Sequence, residues 1–263
     1  MFRLTPMVKN ILLINAGIFM IQSLLNQPFA DLFGLRVVFA DEFNLYQFLT
    51  YMWIHGSFGH LLGNMFAVLI FGPLLEQMWG SKRFLTFYLA CGIGAGVLFG
   101  VADFIEKYPL KADTQAYMAN PDPEAFKLFI VRHKSNFFNM PVVADIADDY
   151  YDHPNDADLI SESRSIVQRF YDVITNLPMV GASGAVFGIL MAFGMLFPNT
   201  YIYLYFAIPV KAKYVVFGYA MLEIYAEMHR SATDNVAHLA HIGGMIIAFV
   251  LLKIWQKKSN RFY

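Results

Sequence analysis

The sequence predicts an all-α polytopic membrane protein, and three observations lead to this fold class. Hydrophobic residues make up 57% of the 263-residue chain and charged residues only 15%, compared with roughly 25% charged residues in an average soluble domain. The mean hydropathy is +0.46. Apolar windows long enough to cross a bilayer core of about 30 Å recur along the chain. A soluble enzyme is therefore not expected, and a formal net charge of -1 gives no electrostatic reason to expect a nucleic-acid partner.

Six apolar windows predict six transmembrane helices, because roughly 20 mainly apolar residues are needed to cross the bilayer core. Asn15 and Gln22 weaken the first window, and Glu223 and Glu227 weaken the fifth. The apolar stretch 201–209 is too short to cross, so we expect an interfacial turn or a re-entrant hairpin there. The windows lie approximately at residues 8–25, 60–79, 84–102, 178–197, 214–228 and 236–255.

Basic residues predict how these helices are oriented. Outside residues 103–172 there are 12 Lys and Arg, and six spans place ten of them on one side. Cytoplasmic loops carry an excess of Lys and Arg, so we expect that side, with both termini, to be cytoplasmic. We predict a multi-pass protein of a prokaryotic cytoplasmic (inner) membrane, because no organellar targeting segment is evident. The ten residues are Arg3, Lys9, Lys82, Arg83, Lys211, Lys213, Lys253, Lys257, Lys258 and Arg261.

A polar block at residues 103–172 interrupts the membrane domain predicted for residues 1–263. It holds 13 acidic and 7 basic residues, and its place after the third predicted span makes it an extracytoplasmic insertion. Asn-Pro-Asp-Pro at 120–123 predicts a turn. A tolerated loop insertion and a substrate-binding or regulatory element are both compatible with this composition. A helical stripe of apolar residues predicts that part of the block is helical: Leu159, Ile160, Ile166, Val167, Phe170 and Ile174.

Polar residues recur near the start of the second, fourth and sixth predicted spans. Such residues are costly in a bilayer and usually face the interior of a helix bundle, so each one indicates a functional site. His60 and Asn64 are four residues apart and share one helix face. Ser183 and His241 each lie roughly five residues into their spans, or about 7 to 8 Å below the helix start. Three helices are therefore predicted to bring these side chains to one layer near the extracytoplasmic face.

The residue types in this layer point to nucleophilic catalysis. A serine hydroxyl needs a neighbouring base, and the imidazole of His241 can serve Ser183 in that way. A tetrahedral intermediate needs donors for its oxyanion, and His60, Asn64 and the backbone N–H of Ser183 are available. No Asp or Glu lies beside His241 in the sequence, so the pair is interpreted as a dyad. Phe187, one turn after Ser183, could pack on the imidazole instead.

Glycines accompany the same positions. Gly184 and Gly188 form a small-residue face on the fourth span, and Gly244 lies one turn beyond His241. Small residues let membrane helices approach closely, so these glycines are predicted to bring the fourth and sixth helices together. Gly181, two residues before Ser183, is counted with them as a packing residue at the site.

A metal site is the main competing interpretation of the histidines. His55, His60, His238 and His241 could supply nitrogen ligands, but the sequence has no His-Glu-x-x-His motif and no carboxylate near them on the same helices. The single Cys91 excludes a cysteine-rich site. We therefore predict no metal and no other cofactor.

Three motifs together resemble the signature of the rhomboid intramembrane serine proteases. They are His55-x4-His60-x3-Asn64, Gly181-x-Ser183-Gly184-x3-Gly188 and Ala240-His241-x2-Gly244. They occur in the family's order on the second, fourth and sixth of six predicted spans. The Trp-Arg pair that many members carry in the first loop is absent, and Leu35-Arg36 stands nearby.

The resemblance implies a serine endopeptidase that cleaves single-pass transmembrane proteins near the outer edge of the bilayer, without metal or ATP. It implies that Ser183 is the nucleophile, that His241 is the general base, and that His60 and Asn64 help to bind the oxyanion. It implies a six-helix bundle in which the 103–172 insertion is an addition to the minimal fold. The alternatives are a rhomboid-like protein that binds membrane clients without cutting them, and a small transporter that uses the polar residues as a path.

Overall fold

A computed structural model describes residues 4–25, 28–133, 140–204, 207–229 and 236–259. The described chain is mostly helical. A helix lies in each of the six apolar windows, although the helix of the fourth window begins only at Ser183, and shorter helices lie in the first loop and in the insertion. The helices are α1 (Pro6–Leu25), α2 (Phe29–Phe33), α3 (Gln47–Thr50), α4 (Phe58–Trp79), α5 (Ser81–Ala119), α6 (Pro123–His133), α7 (Met140–Asp152), α8 (Ala157–Thr175), α9 (Ser183–Leu196), α10 (Ala212–Met228) and α11 (His238–Ser259).

Four of these helices are long and apolar enough to cross a membrane. They are α1, α4, α5 and the His238–Gln256 part of α11, whereas α9 is a shorter apolar helix of 14 residues. Helix α10 has 17 residues and carries Glu223 and Glu227. The sequence therefore predicted where these helices lie. It did not predict that α9 and α10 would be shorter than the other four.

Helix α9 is the centre of the larger hydrophobic core, and α4, α5 and α11 pack around it. Ten of its 14 residues are buried, because its side chains are small or apolar on every face. Helix α10 is buried only near its start, at Ala212, Val215 and Val216. Beyond Val216 it presents large apolar side chains such as Phe217 and Leu222 to the surroundings, which suits contact with lipid.

Glu76 joins the beginnings of α1 and α5. Its carboxylate accepts hydrogen bonds from the backbone N–H groups of Met7 and Val8 and from the hydroxyls of Thr5 and Ser81. The first N–H groups of a helix have no partner inside the helix, and they favour a negative charge. This buried acid therefore caps α1 and fixes it to the end of α4.

Helix α5 runs well past residue 102, where its apolar window ends. The whole helix is 39 residues long and runs without a break from Ser81 to Ala119. The boundary predicted at 102 marks the end of the apolar surface but not the end of the helix. The polar extension remains helical because its own apolar residues, including Leu110 and Tyr117, pack in one core with residues of α6, α7 and α8 in the rest of the insertion.

The insertion is a folded helical unit with a second hydrophobic core. The Asn-Pro-Asp-Pro turn separates α5 from α6 as predicted, and the carboxylate of Asp156 caps α8 by accepting from the N–H groups of Asp158 and Leu159. The Tyr117 hydroxyl contacts the Ser163 hydroxyl at 2.6 Å inside this core. The core residues are Leu110, Tyr117, Phe126, Phe129, Ile130, Val143, Ala147, Tyr150, Val167 and Phe170.

The short apolar stretch after α9 forms an antiparallel hairpin of two strands, β1 (Tyr201–Leu204) and β2 (Ile208–Lys211). The two strands were not predicted, and the choice between an interfacial turn and a re-entrant hairpin stays a prediction. The two-stranded sheet between α9 and α10 makes the all-α class an approximation.

The first loop, which connects α1 to α4, is hydrogen-bonded to the segment just before α9. Leu35 and Met179 exchange two backbone hydrogen bonds of 2.9 and 2.8 Å, and the backbone N–H of Gly181 donates to the carbonyl of Tyr51 at 2.9 Å. Tyr51 belongs to a 3₁₀ turn, Tyr51–Trp53. The hydroxyl of Tyr51 donates a hydrogen bond to the carbonyl oxygen of Gly92 on α5. The segment before Ser183 is thus held between the first loop and the helix bundle.

Candidate active site

Ser183 and His241 are in hydrogen-bond contact across two helices. Ser183 is the first residue of α9, and His241 lies in the first turn of α11. The distance from Ser183 Oγ to His241 Nε2 is 2.8 Å. This is the separation at which an imidazole nitrogen can accept the proton of a serine hydroxyl.

Glycines permit this contact because they have no side chains to separate α9 from α11. A Cβ atom on Gly244 would lie 1.9 Å from the carbonyl oxygen of Gly184, which no arrangement of that backbone could accept. The α9 and α11 backbones therefore touch directly, and this close approach brings Ser183 within reach of His241. Gly184 and Gly188 chiefly make room for α5, since a Cβ on Gly184 would lie 2.6 Å from Cβ of Ala95 and one on Gly188 would lie 2.7 Å from Cys91, both on α5.

Phe187 supports the imidazole from the other side. Its ring is stacked on the ring of His241, with centroids 4.2 Å apart and planes inclined by 12°. Phe187 lies one turn after Ser183 on α9, so the helix that carries the hydroxyl also carries the surface on which the imidazole rests. Tyr219 of α10 meets the Phe187 ring edge to face.

His60, Asn64 and Gly181 meet beside Ser183. The Ser57 hydroxyl caps α4 by accepting from the N–H of His60. Gly181 has φ +125°, a conformation that favours glycine, and a Cβ there would lie 2.6 Å from the His60 ring and 3.8 Å from Nδ2 of Asn64. Gly181 therefore does more than pack: its missing side chain leaves the space that His60 and Asn64 face.

Asn64 contributes a donor to this space. The residue is buried, and its Nδ2 has no hydrogen-bond partner within the described part of the chain. An unpaired buried donor costs free energy, typically about 1 to 3 kcal/mol. That cost is offset if the Asn64 amide donates a hydrogen bond to a substrate atom during a reaction.

His55 lies under His60 in the loop before α4. The two rings meet edge to face with centroids 5.1 Å apart, and His55 is fully buried. Burial, and to a smaller extent the neighbouring His60, lower the pKa of His55 to about 4. The His55 ring is therefore a neutral support for His60.

Glu223 of α10 is the residue of this site that the sequence did not reveal. Its Oε2 lies 2.9 Å from Nδ1 of His241 and 2.6 Å from Nδ1 of His238. The dyad interpretation was therefore incomplete, because a carboxylate does contact His241 from another helix. A signal for it existed: an acid within an apolar span needs a polar partner, and the histidines of the next span were available.

The same three side chains are a group that could hold a metal ion. One ligand atom from each of Glu223, His238 and His241 lies within 4.8 Å of the others. A carboxylate therefore does lie near two of the histidines, on a neighbouring helix rather than on their own. The carboxylate-to-imidazole distances are hydrogen-bond lengths, whereas two ligands of one tetrahedral zinc ion stand roughly 3.3 Å apart. His55 and His60 do not belong to this cluster, and the absence of a bound metal stays a prediction.

In the first loop, where the Trp-Arg pair is absent, a polar network surrounds Arg36. Its buried guanidinium lies 2.8 Å from the carboxylate of Glu42 and 3.4 Å from that of Asp31. It also donates to the carbonyl oxygens of Asp31 and Asn176. Arg36 thus ties the first loop to the segment that links the insertion to α9.

Comparison with known proteins places the chain in a family. Residues 42–108 and 160–257, more than half of the chain, match the Rhomboid domain. The chain belongs to the rhomboid family and is a multi-pass membrane protein. The unmatched stretch 109–159 lies inside the predicted insertion.

Relatives of the chain carry rhomboid names in plants, yeast and bacteria. RHOMBOID-like protein 12, mitochondrial, of Arabidopsis thaliana is 24% identical over 261 residues, which cover 97% of this chain and 60% of that protein. An uncharacterised mitochondrial rhomboid protein of Schizosaccharomyces pombe is 25% identical over 231 residues, 84% of this chain and 55% of that protein. The rhomboid protein YdcA of Bacillus subtilis is 40% identical over 48 residues, 18% of this chain and 24% of that protein. The chain spans about 60% or less of these relatives.

Proposed function

We propose that the protein is an intramembrane serine endopeptidase that cleaves transmembrane segments of single-pass membrane proteins near the extracytoplasmic face. The observation that carries this proposal is the 2.8 Å contact between Ser183 Oγ and His241 Nε2 at the start of two helices in direct backbone contact. Membership of the rhomboid family supports the same function.

The geometry supports acyl transfer in two stages. Nε2 of His241 accepts the Ser183 proton while Oγ bonds to the scissile carbonyl carbon, and the carbonyl electron pair moves to oxygen. His60, Asn64 and the Ser183 N–H are the donors for that oxyanion. When the C–N bond breaks, the leaving amine takes the proton from His241. Water then attacks the acyl-enzyme with the same base, and Ser183 is regenerated.

The proposed topology has six spans, with the site opening away from the cytoplasm. Helix α9 has 14 residues and rises about 21 Å, less than the bilayer core of about 30 Å. If its carboxyl end lies near the cytoplasmic surface, Ser183 lies below the opposite surface. A substrate helix must unwind to expose its carbonyls there, because a stable helix uses them internally.

The membrane in which the protein resides is a separate proposal. We propose that both termini are cytoplasmic, as the basic residues predict, and we keep the prokaryotic cytoplasmic membrane as the expected setting. Two of the relatives above are named mitochondrial, so an organellar inner membrane is the alternative. Cell fractionation of the source organism, with protease protection of the termini, distinguishes the two.

The second candidate function is a rhomboid-like protein that binds membrane clients without cutting them. It shares the fold, but a binder has no need of a serine hydroxyl hydrogen-bonded to an imidazole. The retained contact between Ser183 and His241 therefore favours the protease.

Reconstitution tests the proposal. The protein is placed in liposomes with a single-pass substrate whose helix is weakened by glycine or proline near the outer edge, and cleavage is followed by gel and mass spectrometry. We expect cleavage by the wild type and by Ser23→Ala, which alters an exposed serine of α1, and none by Ser183→Ala. Cleavage by Ser183→Ala would refute the mechanism, whereas stable capture of uncut substrate by the wild type would favour the client-binding protein.

A further inference from the structure

We infer that Glu223 is a positioning residue that holds the imidazole of His241 in the form required of a general base. The carboxylate reaches His241 from α10, so the base depends on a helix other than the one that carries it. This inference deepens the proposed protease function, and its kinetic test rests on that function.

The hydrogen bonds determine the tautomer. An ionised carboxylate can only accept, so the contact of 2.9 Å between Glu223 Oε2 and His241 Nδ1 requires a proton on Nδ1. The neutral ring then has its lone pair on Nε2, which faces the hydroxyl of Ser183 at 2.8 Å. With the proton on Nε2 instead, His241 could not accept from Ser183.

His238 orients the carboxylate in turn. Its Nδ1 lies 2.6 Å from the same Oε2 atom and also donates to it. Glu223 and both histidines are largely buried, with side-chain exposures of 13%, 10% and 10%. A carboxylate in such a place is costly unless it is hydrogen-bonded, and two N–H donors on one oxygen offset part of that cost.

The contact also links the position of α10 to the chemistry. The buried apolar residues of α10 lie only in its first turns, from Ala212 to Val216. Farther along, Tyr219 meets Phe187 and Glu223 meets the two histidines. Displacement of the second half of α10 would therefore remove the Glu223 carboxylate from His241. The His241 imidazole could then adopt either tautomer. Glu223 thus positions His241, and as a consequence activity requires the second half of α10 to stay docked against α11.

The test compares Glu223→Gln with Glu227→Gln. Glu227 lies one helical turn farther along α10, so the same chemical change is made without touching His241. We expect Glu223→Gln to lower kcat by about 100-fold or more with KM within threefold, since removal of the carboxylate from a serine-protease triad lowers kcat by about 10⁴-fold. Labelling by a fluorophosphonate should slow to a similar degree. Glu227→Gln should keep both rates within twofold of the wild type.

A spectroscopic measurement keeps the inference testable without activity. Histidine ¹⁵N NMR of the wild type in detergent, with His241 assigned through His241→Gln, reports which ring nitrogen carries the proton. We expect the Nδ1–H tautomer in the wild type and in Glu227→Gln, and a mixture of tautomers in Glu223→Gln. An Nε2–H tautomer in the wild type, or a kcat of Glu223→Gln within threefold of the wild type, would overturn the inference.

Failure of the protease proposal can be distinguished from failure of the positioning role of Glu223. If the wild type neither cleaves nor labels, the protease proposal fails, but the tautomer still decides whether Glu223 positions His241. If the wild type cleaves and Glu223→Gln cleaves equally well, the protease proposal stands and the positioning role is refuted. Should Glu223→Gln fail to fold, the tautomer of His241 in the wild type alone supports or refutes the positioning role.

Discussion

The ring of Phe187 lies flat on the imidazole of His241, 4.2 Å away between centroids. Stacking restricts rotation of the imidazole about its bond to Cβ, while the hydrogen bonds at Nδ1 and Nε2 restrict its tilt. The orientation of the base is therefore determined by packing as well as by polar contacts. Removing the packing should leave the residues of the site present but less well oriented.

Substitution of Phe187 tests this relationship. We expect Phe187→Ala to lower kcat by about 10-fold to 100-fold, because a misplaced base loses part of the advantage of a fixed geometry. Phe187→Tyr preserves the stacked ring and should retain most of the activity. Equal kcat values for Phe187→Ala and the wild type in the liposome assay would show that the ring does not orient His241.

A methyl group at Gly244 should separate α9 from α11. Its Cβ would meet the Gly184 carbonyl at 1.9 Å, so Gly244→Ala should lower both stability and activity, with a cost of about 1 to 3 kcal/mol or more. Gly63→Ala is the control, because a Cβ on that α4 residue meets nothing within 4 Å, and its stability should be unchanged or up to about 1 kcal/mol higher.

The single cysteine provides the measurement for these variants. Cys91 is fully buried, so a thiol-reactive fluorophore labels it only when the bundle opens on heating. The Gly244→Ala curve should shift to lower temperature, and the Gly63→Ala curve should not. Identical curves for Gly244→Ala and the wild type would contradict the close backbone contact.

Loss of Arg36 should loosen the first loop. Its guanidinium is 2% exposed, and it contacts two carboxylates that are more than half exposed. Because the carboxylates stay hydrated after the change, Arg36→Leu should cost about 1.5 to 3 kcal/mol, the range for hydrogen bonds of a charged group. Arg132→Leu is the matched change at an exposed ion pair with Asp113 and should cost less than about 1 kcal/mol. A larger shift of the Cys91 melting curve for Arg132→Leu than for Arg36→Leu would refute the anchoring role of Arg36.

His55 makes the fold sensitive to acid. Its pKa is lowered by burial to about 4, from about 6.5 in an unfolded chain. Below pH 6.5 the unfolded chain binds the proton first, so stability is complete above that pH and falls as the pH is lowered toward 4. The melting temperature from circular dichroism should follow this course. His55→Gln should flatten it over this range, whereas the exposed His153→Gln should retain the wild-type slope; a flat wild-type curve would contradict the burial of His55.

The sequence predicted the parts of the fold that the bilayer dictates. Apolar length is required by the thickness of the membrane, so a helix lies in each of the six apolar windows, and four of these helices are long enough to cross the membrane. Matched depth at the start of three helices predicted that Ser183, His241, His60 and Asn64 share one layer. Both inferences depend only on distance along one helix, which a sequence shows directly.

The sequence could not predict features that depend on contacts between elements. Glu223 meets His241 through the packing of α10 on α11, and no spacing rule connects residues 18 positions apart across a loop. The extension of α5 to Ala119 depends on packing against the insertion, which the loss of apolar character at residue 103 concealed.

Labelling with a fluorophosphonate probe is the most direct test of the central claim that Ser183 is an activated nucleophile. The wild type, Ser183→Ala, His241→Ala and the control Ser23→Ala are compared after the Cys91 assay has shown that each is folded in lipid. We predict labelling of the wild type and of Ser23→Ala, and none of the other two. Failure of the folded wild type to react, or persistent labelling of Ser183→Ala, would contradict the claim.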